Sequence, residues 1–181
     1  MTGRLVLVVG PSGAGKDSVL RYAIAHFAGD ARFVFPRRCV TREVDVAAED
    51  HESVDERTFD ELAGQRAFVL MWEAHGHKYG VRSEIDTELE RGRTVAINVS
   101  RTIVAEAAGR YQNAVVVEIT ADPTVRATRL TARGREAVED VQLRTRRKVV
   151  APAHPLPLHT IRNDGKISDA GDEFCRLLAG L

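Results

Sequence analysis

A glycine-rich stretch near the start of the chain has the residue types and spacing that bind phosphate groups. It reads GPSGAGK over residues 10–16 and satisfies the pattern G-x-x-x-x-G-K. Glycines allow consecutive backbone N–H groups to point at an anion, and the N-terminus of a following helix adds partial positive charge. Lys16 would reach the outer phosphates of a nucleotide. The predicted nucleotide site consists of Gly10, Pro11, Ser12, Gly13, Ala14, Gly15, Lys16, Asp17 and Ser18.

Arginines, which supply most of the positive charge, gather at three places along the chain. The groups are Arg37, Arg38 and Arg42, then Arg129, Arg133 and Arg135, and then Arg144, Arg146 and Arg147. Phosphoryl transfer requires positive charge around the moving phosphate, which the arginine fork matches bidentately. Arg129 and Arg133 share one helical face, and Gly134 breaks the helix beside them. This pattern favours a hinged lid that brings arginines onto phosphate, with a solvated helix face as the alternative.

The elements that must position these residues alternate between strand and helix. The hydrophobic pattern predicts core strands at 5–9, 94–99, 114–120 and 158–162, and helices at 18–27, 83–91, 101–109, 123–133 and 168–178. This alternation predicts an α/β fold with a parallel sheet and helices on both faces. Ser168 is the predicted cap of the last helix.

Two segments, 33–81 and 133–149, fit the predicted sheet poorly and are expected to be inserts that close over the site. The first has an extended stretch at 33–41, in which Pro36 argues against a central strand. A short helix at 55–64 follows, and then two strands at 68–74 and 78–81 form a hairpin. The second contains a polar helix at 136–149.

The composition indicates a globular protein with one domain. The 181 residues include 26 basic and 26 acidic side chains, so the net charge favours neither nucleic acid nor membrane as a partner. No apolar run approaches the ~18 residues of a membrane span, and no signal peptide is visible. Cys39 and Cys175 lack metal-ligand spacing and are expected to be buried thiols of a reducing compartment. We therefore expect a cytoplasmic protein, as a monomer or a homodimer.

Four motifs, in this order, resemble those of the guanylate kinase-like family. They are GPSGAGK, Thr41-Arg42, Trp72-x-x-His75-Gly76-x-x-Tyr79-Gly80, and Arg129-Leu130-x-x-Arg133-Gly134-Arg135-Glu136. The resemblance covers essentially the whole chain. It implies a P-loop kinase core at 1–32, 91–131 and 150–181, a small acceptor-binding insert at 33–90 and a lid at 132–149.

The resemblance also implies roles for individual side chains. Lys16 would act on the donor phosphates, and Arg42 and Tyr79 would hold the phosphate of the acceptor. The arginines around the transferred phosphate would be Arg129, Arg133 and Arg144.

Several positions of the family pattern, including those that recognise the guanine base, are occupied by other residue types in this chain. Met71 and Val81 replace a Glu and a Ser, and Arg38 replaces another Ser. Asp45 stands in place of a phosphate-binding Arg, and Asn98 in place of an Asp. A guanine edge without partners costs about 1–3 kcal/mol per unpaired group. These differences favour a small, highly anionic acceptor without a base.

Within the family, the chain resembles the branch that phosphorylates ribose 1,5-bisphosphate in phosphonate metabolism. The matching residues are Asp17 after the loop lysine, Thr41-Arg42, Glu49-x-His51 and Asn98-x-Ser100-Arg101. The resemblance implies transfer from ATP, with Mg²⁺, giving 5-phosphoribosyl 1-diphosphate and ADP. Asp17 could hold Mg²⁺ directly or through water, because a hard cation prefers oxygen ligands.

The acceptor side of the site would then use Arg38, Arg42, Tyr79, Asn98 and Arg101, and its partner would be a small sugar phosphate. Two alternatives stay open. One is a nucleoside monophosphate kinase with altered recognition of the base, and the other is a non-catalytic module that binds proteins. Such modules lose the loop lysine and lid arginines, whereas this chain keeps Lys16, Arg129, Arg133 and Arg144.

Overall fold

A computed structural model describes residues 2–42, 51–132 and 154–181 of the chain. The strands are β1 (Arg4–Val9), β2 (Phe33–Val34), β3 (Arg38–Val40), β4 (His51–Ser53), β5 (Phe68–Ala74), β6 (His77–Arg82), β7 (Thr94–Asn98), β8 (Ala114–Thr120) and β9 (Leu158–Arg162). The helices are α1 (Lys16–His26), α2 (Glu56–Gly64), α3 (Glu84–Glu90), α4 (Val104–Arg110), α5 (Pro123–Ala132) and α6 (Ile167–Gly180). A short 3-10 helix, Arg101–Ile103, leads into α4. The predicted helix at 136–149 lies outside the described residues.

Five parallel strands form the central sheet, in the order β2-β7-β1-β8-β9. Val8 of β1 lies opposite Asn98 of β7, and Val9 lies opposite Glu118 of β8. The carboxyl ends of these strands therefore meet along one edge, where ligands bind in open α/β sheets. The prediction of an α/β fold with a parallel sheet is confirmed.

Alternate residues of β1 point to two hydrophobic cores on opposite faces of the central sheet. Val6 and Val8 pack with residues of α1 and α6 on one face. Leu5, Leu7 and Val9 pack on the other face with residues of α3 and α4. Helices thus cover both faces, as the uninterrupted apolar sequence of β1 requires.

A second, four-stranded sheet has the order β4-β3-β6-β5 and comes from the predicted insert. Strands β5 and β6 form the predicted hairpin around His75 and Gly76, both of which have positive φ. Leu70 and Val81 of this sheet join the same core as Leu5, so the insert is packed directly against the central sheet. On its other side, Phe59 of α2 stacks on Phe68, with 4.7 Å between the ring centres.

Several boundaries differ from those predicted, and three of them change the assignment of a segment or a cap. Phe33 and Val34 pair with β7 at the edge of the central sheet, although the sequence assigned residues 33–34 to the insert. Helix α1 starts two residues earlier than predicted, because the left-handed Gly15 turns the loop directly into it. The predicted cap at Ser168 is wrong. Helix α6 begins at Ile167 after an extended Lys166, so Ser168 already lies within its first turn.

Both cysteines are buried free thiols, as predicted. Within residues 2–42, 51–132 and 154–181, no helix combines the length and apolar character needed to cross a membrane.

Candidate active site

The glycine-rich loop leaves β1 at the carboxyl edge of the central sheet and enters α1. Gly13 packs so tightly against α5 that an added Cβ would lie 2.8 Å from the backbone oxygen of Arg126. Gly15 has φ 87°, and a Cβ there would lie 2.3 Å from Nδ2 of Asn163. Both positions therefore require glycine, for conformation and for space.

Lys16 lies at the first position of α1 and folds back over the loop. Its ammonium donates to the backbone oxygens of Gly10, at 3.0 Å, and Pro11, at 3.3 Å. The loop closes on itself through a hydrogen bond of 3.2 Å from the Ala14 N–H to the Pro11 oxygen. The structure thus places the charge of Lys16 over the loop, where phosphates bind in this motif.

Asp17 and Asn98 meet beside the loop, although 81 positions separate them in the sequence. The Asn98 side-chain amide donates to Oδ1 of Asp17 at 2.7 Å. Asn98 ends β7, the strand next to β1, and its side chain is only 6% exposed. The sequence assigned these residues to separate roles, in metal binding and in acceptor binding.

The donor set around Asp17 fits a magnesium ion. Mg²⁺ in kinases is held by one or two carboxylates together with the phosphates of the substrate, and it keeps several water molecules. Asp17 supplies one carboxylate beside the phosphate-binding loop, and Asn98 engages only Oδ1 of it. Among the described residues, no cluster of three or more His, Cys, Asp or Glu side chains could hold a metal ion by itself.

Arg129 of α5 and Asn163 form the other wall of the site. The Arg129 guanidinium donates to the Asn163 backbone oxygen at 2.8 Å. The Asn163 side chain is 2% exposed, and its Nδ2 donates to the Ala14 oxygen at 2.8 Å. Between the loop, α5 and the start of α6 lies a cleft of about 340 Å³. Arg129 therefore lies beside the loop, and its contact with the transferred phosphate stays a prediction.

Two aspartates fix the position of α5 and of the Asn163 loop. Asp164 accepts a hydrogen bond of 2.6 Å from the Asp122 N–H. That bond and the neighbouring Arg162 hold the pKa of Asp164 below its usual range. Asp122 in turn accepts from the backbone N–H of Thr124 at 2.8 Å, in the first turn of α5. These bonds connect the ends of β8 and β9, so Arg129 and Asn163 are held in one arrangement.

Arg101, a predicted acceptor-binding residue, lies in the 3-10 helix after β7. Its guanidinium forms an ion pair of 2.6 Å with Glu118 of β8, and its side chain is largely buried. The charge of Arg101 is thus held by a carboxylate at the sheet edge. Its role on the acceptor stays a prediction.

Arg38 and Tyr79 of the insert form a stack with Trp72. The Trp72 and Tyr79 rings are nearly parallel, with centres 5.2 Å apart. The guanidinium carbon of Arg38 lies 5.6 Å from the Tyr79 ring centre, within the range of a cation–π interaction. Trp72 and Val81 lie in the hydrophobic core, whereas Met71 is 44% exposed.

The backbone at Thr41 and Arg42 is held between β4 and β6. The backbone oxygen of Arg42 accepts a hydrogen bond of 2.7 Å from the Ser53 hydroxyl and lies 3.1 Å from Nε2 of His51. The Thr41 hydroxyl accepts from the Lys78 N–H at 2.9 Å. His51 is buried in β4.

Several predicted residues lie outside the described part of the chain. They are Arg133 and Arg144, with the other residues of the predicted lid from 133 to 149, and Asp45 and Glu49 of the insert.

Sequence reasoning missed three residues of the site. No functional role was predicted for Asn163, Glu118 or Arg126. Asn163 follows the last parallel strand directly, and that position was a usable signal, because the carboxyl ends of such strands share one edge. Arg126 lies three residues before Arg129, on the same face of α5. The Arg101–Glu118 ion pair depends on a tertiary contact that the sequence pattern does not reveal.

Known proteins resemble this chain over nearly its full length. The ribose 1,5-bisphosphate phosphokinase PhnN of Methylobacterium radiotolerans is 44% identical over 181 residues, which cover 100% of this chain and 98% of that protein. The protein of the same name from Agrobacterium fabrum is 38% identical over 174 residues, which cover 96% and 95%. The one from Pseudofrankia inefficax is 42% identical over 176 residues, which cover 97% and 90%. No family model matches the chain.

Among solved structures, the crystal structure of guanylate kinase from Anaplasma phagocytophilum has the same fold. Its TM-score is 0.71 at 14% sequence identity, over 99% of this chain and 86% of that chain. The structural match supports the predicted P-loop kinase architecture, and the sequence matches are specific enough to assign a family. The chain belongs to the ribose 1,5-bisphosphate phosphokinase family, built on the guanylate kinase fold.

Proposed function

We propose that this protein transfers the terminal phosphoryl group of ATP to ribose 1,5-bisphosphate, giving 5-phosphoribosyl 1-diphosphate and ADP. The observation that carries the proposal is the similarity, over nearly the whole chain, to proteins named ribose 1,5-bisphosphate phosphokinase. The geometry of the phosphate-binding loop, with Lys16 folded over it, supports the donor side of this reaction.

On the donor side, the backbone of residues 10–15 and the Lys16 ammonium bind the outer phosphates of ATP. Asp17 would hold Mg²⁺, which would neutralise charge on the phosphate oxygens. Arg129, beside Gly15, contacts the phosphates from the opposite wall of the loop. The cleft next to Asn163 and Gly165 receives the remainder of the nucleotide.

On the acceptor side, Arg42 and Tyr79 bind one phosphate of the sugar, and Arg38 adds charge for the second. An oxygen of the 1-phosphate attacks the γ-phosphorus. The bond from that phosphorus to the bridging oxygen of ATP breaks, and ADP leaves with the electron pair. The attacking phosphate is anionic already, so positioning and charge stabilisation do most of the work. Arg133 and Arg144 join Arg129 around the transferred group.

The acceptor preference provides the test. We expect kcat/KM for ribose 1,5-bisphosphate to exceed that for GMP by at least about a thousandfold, because two unpaired base edges at ~1–3 kcal/mol each account for ~4 kcal/mol. The side chain at Met71 presents apolar surface where a guanine reader needs a carboxylate. The measurement is ADP release with each acceptor in ATP and Mg²⁺, with the sugar product identified by mass.

Comparable turnover of GMP would contradict the proposal and favour a monophosphate kinase. A protein without any turnover, whose melting temperature does not rise with ATP and Mg²⁺, would instead be a binding module. For a true ATP site, ligand at 100 times Kd adds ~2.7 kcal/mol of stability.

A further inference from the structure

The contact between Asp17 and Asn98 carries an inference about how the site holds its cation, and it rests on the proposed use of ATP with Mg²⁺. In P-loop NTPases the cation is held by a Ser or Thr of the loop and by an Asp of a neighbouring strand. Here the loop supplies the carboxylate, and the strand supplies a neutral amide. We infer that the cation-binding carboxylate has moved from the strand to the loop, and that Asn98 is the residue that positions it.

The distance between the two side chains explains why an Asp on the loop occurs together with an Asn, and not an Asp, on the strand. Two carboxylates 2.7 Å apart would repel each other, and one of them would have to take a proton. The amide of Asn98 instead donates to Oδ1 of Asp17 and keeps that side chain in a single orientation. Oδ2 would then be the oxygen left to bind the cation. Asp17 and Asn98 together carry one negative charge, as do the loop Ser or Thr and the strand Asp of other P-loop NTPases.

Burial makes Asn98 suitable for this role. Its side chain is 6% exposed at the end of β7, and its strand is fixed to β1 by the pairing of Val8 with Asn98. A rigid partner restricts the Asp17 carboxylate more than water would. Outer partners of metal ligands typically change metal affinity 10- to 100-fold when they are removed.

The test measures cation binding without turnover. Calorimetric titration with ATP, without any acceptor, gives the Kd in Mg²⁺ and in EDTA, and their ratio measures the coupling between cation and nucleotide. We expect the wild type to bind ATP at least about tenfold more tightly with Mg²⁺. Asp17→Ser and Asn98→Ala should each reduce this ratio severalfold or more, in line with the loss of a ligand or of its positioning partner.

The decisive variant is the exchange, Asp17→Ser together with Asn98→Asp, which restores the usual residue types. It should regain a ratio within about threefold of the wild type, whereas Asn98→Asp alone should not raise the ratio. A purely structural role of Asn98 would not produce rescue. Glu56→Gln is the matched control, because it removes an exposed carboxylate from the first turn of α2, and it should leave the ratio unchanged.

If Asp17→Ser keeps the wild-type ratio, or if the exchange is no better than Asp17→Ser alone, the inference is wrong. Should the serine variant fail to fold, the near-isosteric Asp17→Asn removes the same charge and must lower the ratio as well. A different acceptor would leave a different signature, since the wild type would then show normal coupling of Mg²⁺ and ATP but would form no 5-phosphoribosyl 1-diphosphate. A wild type that shows no coupling would overturn both the inference and the proposed function.

Discussion

Gly15 has a conformation and a neighbour that only glycine accommodates, and both affect the loop. Its φ is 87°, and an added Cβ would lie 2.3 Å from Nδ2 of Asn163. Gly15→Ala should therefore displace the Asn163 side chain from Ala14 and weaken ATP binding. We expect the free energy of unfolding to fall by more than the ~1–3 kcal/mol of the backbone strain alone. Urea unfolding measures this change.

Gly29 provides a matched control for that prediction. It has φ 85°, and a Cβ added there meets nothing within 4 Å. Gly29→Ala should therefore show the backbone cost without the clash, and its ATP affinity should not change. Equal destabilisation by the two substitutions would contradict the proposed importance of the contact between the loop and Asn163.

Lys16 serves the charge of the phosphates and makes no contribution to either hydrophobic core. Lys16→Ala should lower kcat by ~10²–10³ while the unfolding transition stays close to that of the wild type. Steady-state kinetics and a thermal melt measure the two quantities. Arg57→Ala, which removes a basic side chain that is 87% exposed, should change neither. A variant at Lys16 that keeps more than about a tenth of the wild-type kcat would show that the donor site is misassigned.

Residues that act through a contiguous motif could be predicted from the sequence, whereas those that act through tertiary contacts could not. The loop from Gly10 to Lys16 contains its own geometry, because the glycine spacing and the following helix are local features. The pairing of Asp17 with Asn98 required knowledge of which strand lies next to β1. The burial of Asn163 likewise depends on α5 and the loop at once, and the local sequence does not reveal such contacts.

At the scale of elements, hydrophobic periodicity predicted the long helices and strands well. The β5–β6 hairpin was correctly predicted, because His75-Gly76 separates two runs of strand-forming residues. Strand β2 has only two residues, too few for a period to be visible, and its membership of the central sheet comes from pairing with β7. The start of α6 was predicted wrongly because the extended conformation of Lys166 decides where that helix begins, without a side-chain cap.

The insert and the lid should affect different kinetic constants. The backbone at Arg42 is held between two strands, so Arg42 is in place before the reaction. Arg133 follows α5 directly in the sequence and is expected to reach phosphate only on lid closure. Arg42→Ala should therefore raise KM for the acceptor, and Arg133→Ala should mainly lower kcat. Steady-state kinetics at saturating ATP measure both, and equal effects on KM alone would argue against the lid.

At the scale of the whole molecule, the insert and the central sheet share one core. Leu70, Trp72 and Val81 of the insert pack in the same cluster as Leu5 and Leu7 of β1. Phe59, Phe68 and Cys39 form a separate small core within the insert. Leu70, Trp72 and Val81 thus couple the stability of the insert to that of the sheet, and the two buried thiols lie in different cores.

Those thiols should make the protein less stable at alkaline pH. Burial raises the pKa of both Cys39 and Cys175 to about 11, with smaller contributions from Glu52 and Asp172. In the unfolded chain a thiol ionises near pH ~8.5. The stabilisation from each neutral, buried thiol is therefore complete below that pH and is lost as the pH rises towards 11, by up to about 2–3 kcal/mol per thiol. Urea unfolding at pH 8 and at pH 10.5 should show a smaller loss of stability in Cys39→Ala and in Cys175→Ala than in the wild type. The ionisations of tyrosine and lysine are common to all three proteins and cancel in this comparison, so equal losses would mean that neither thiol is buried as the structure describes.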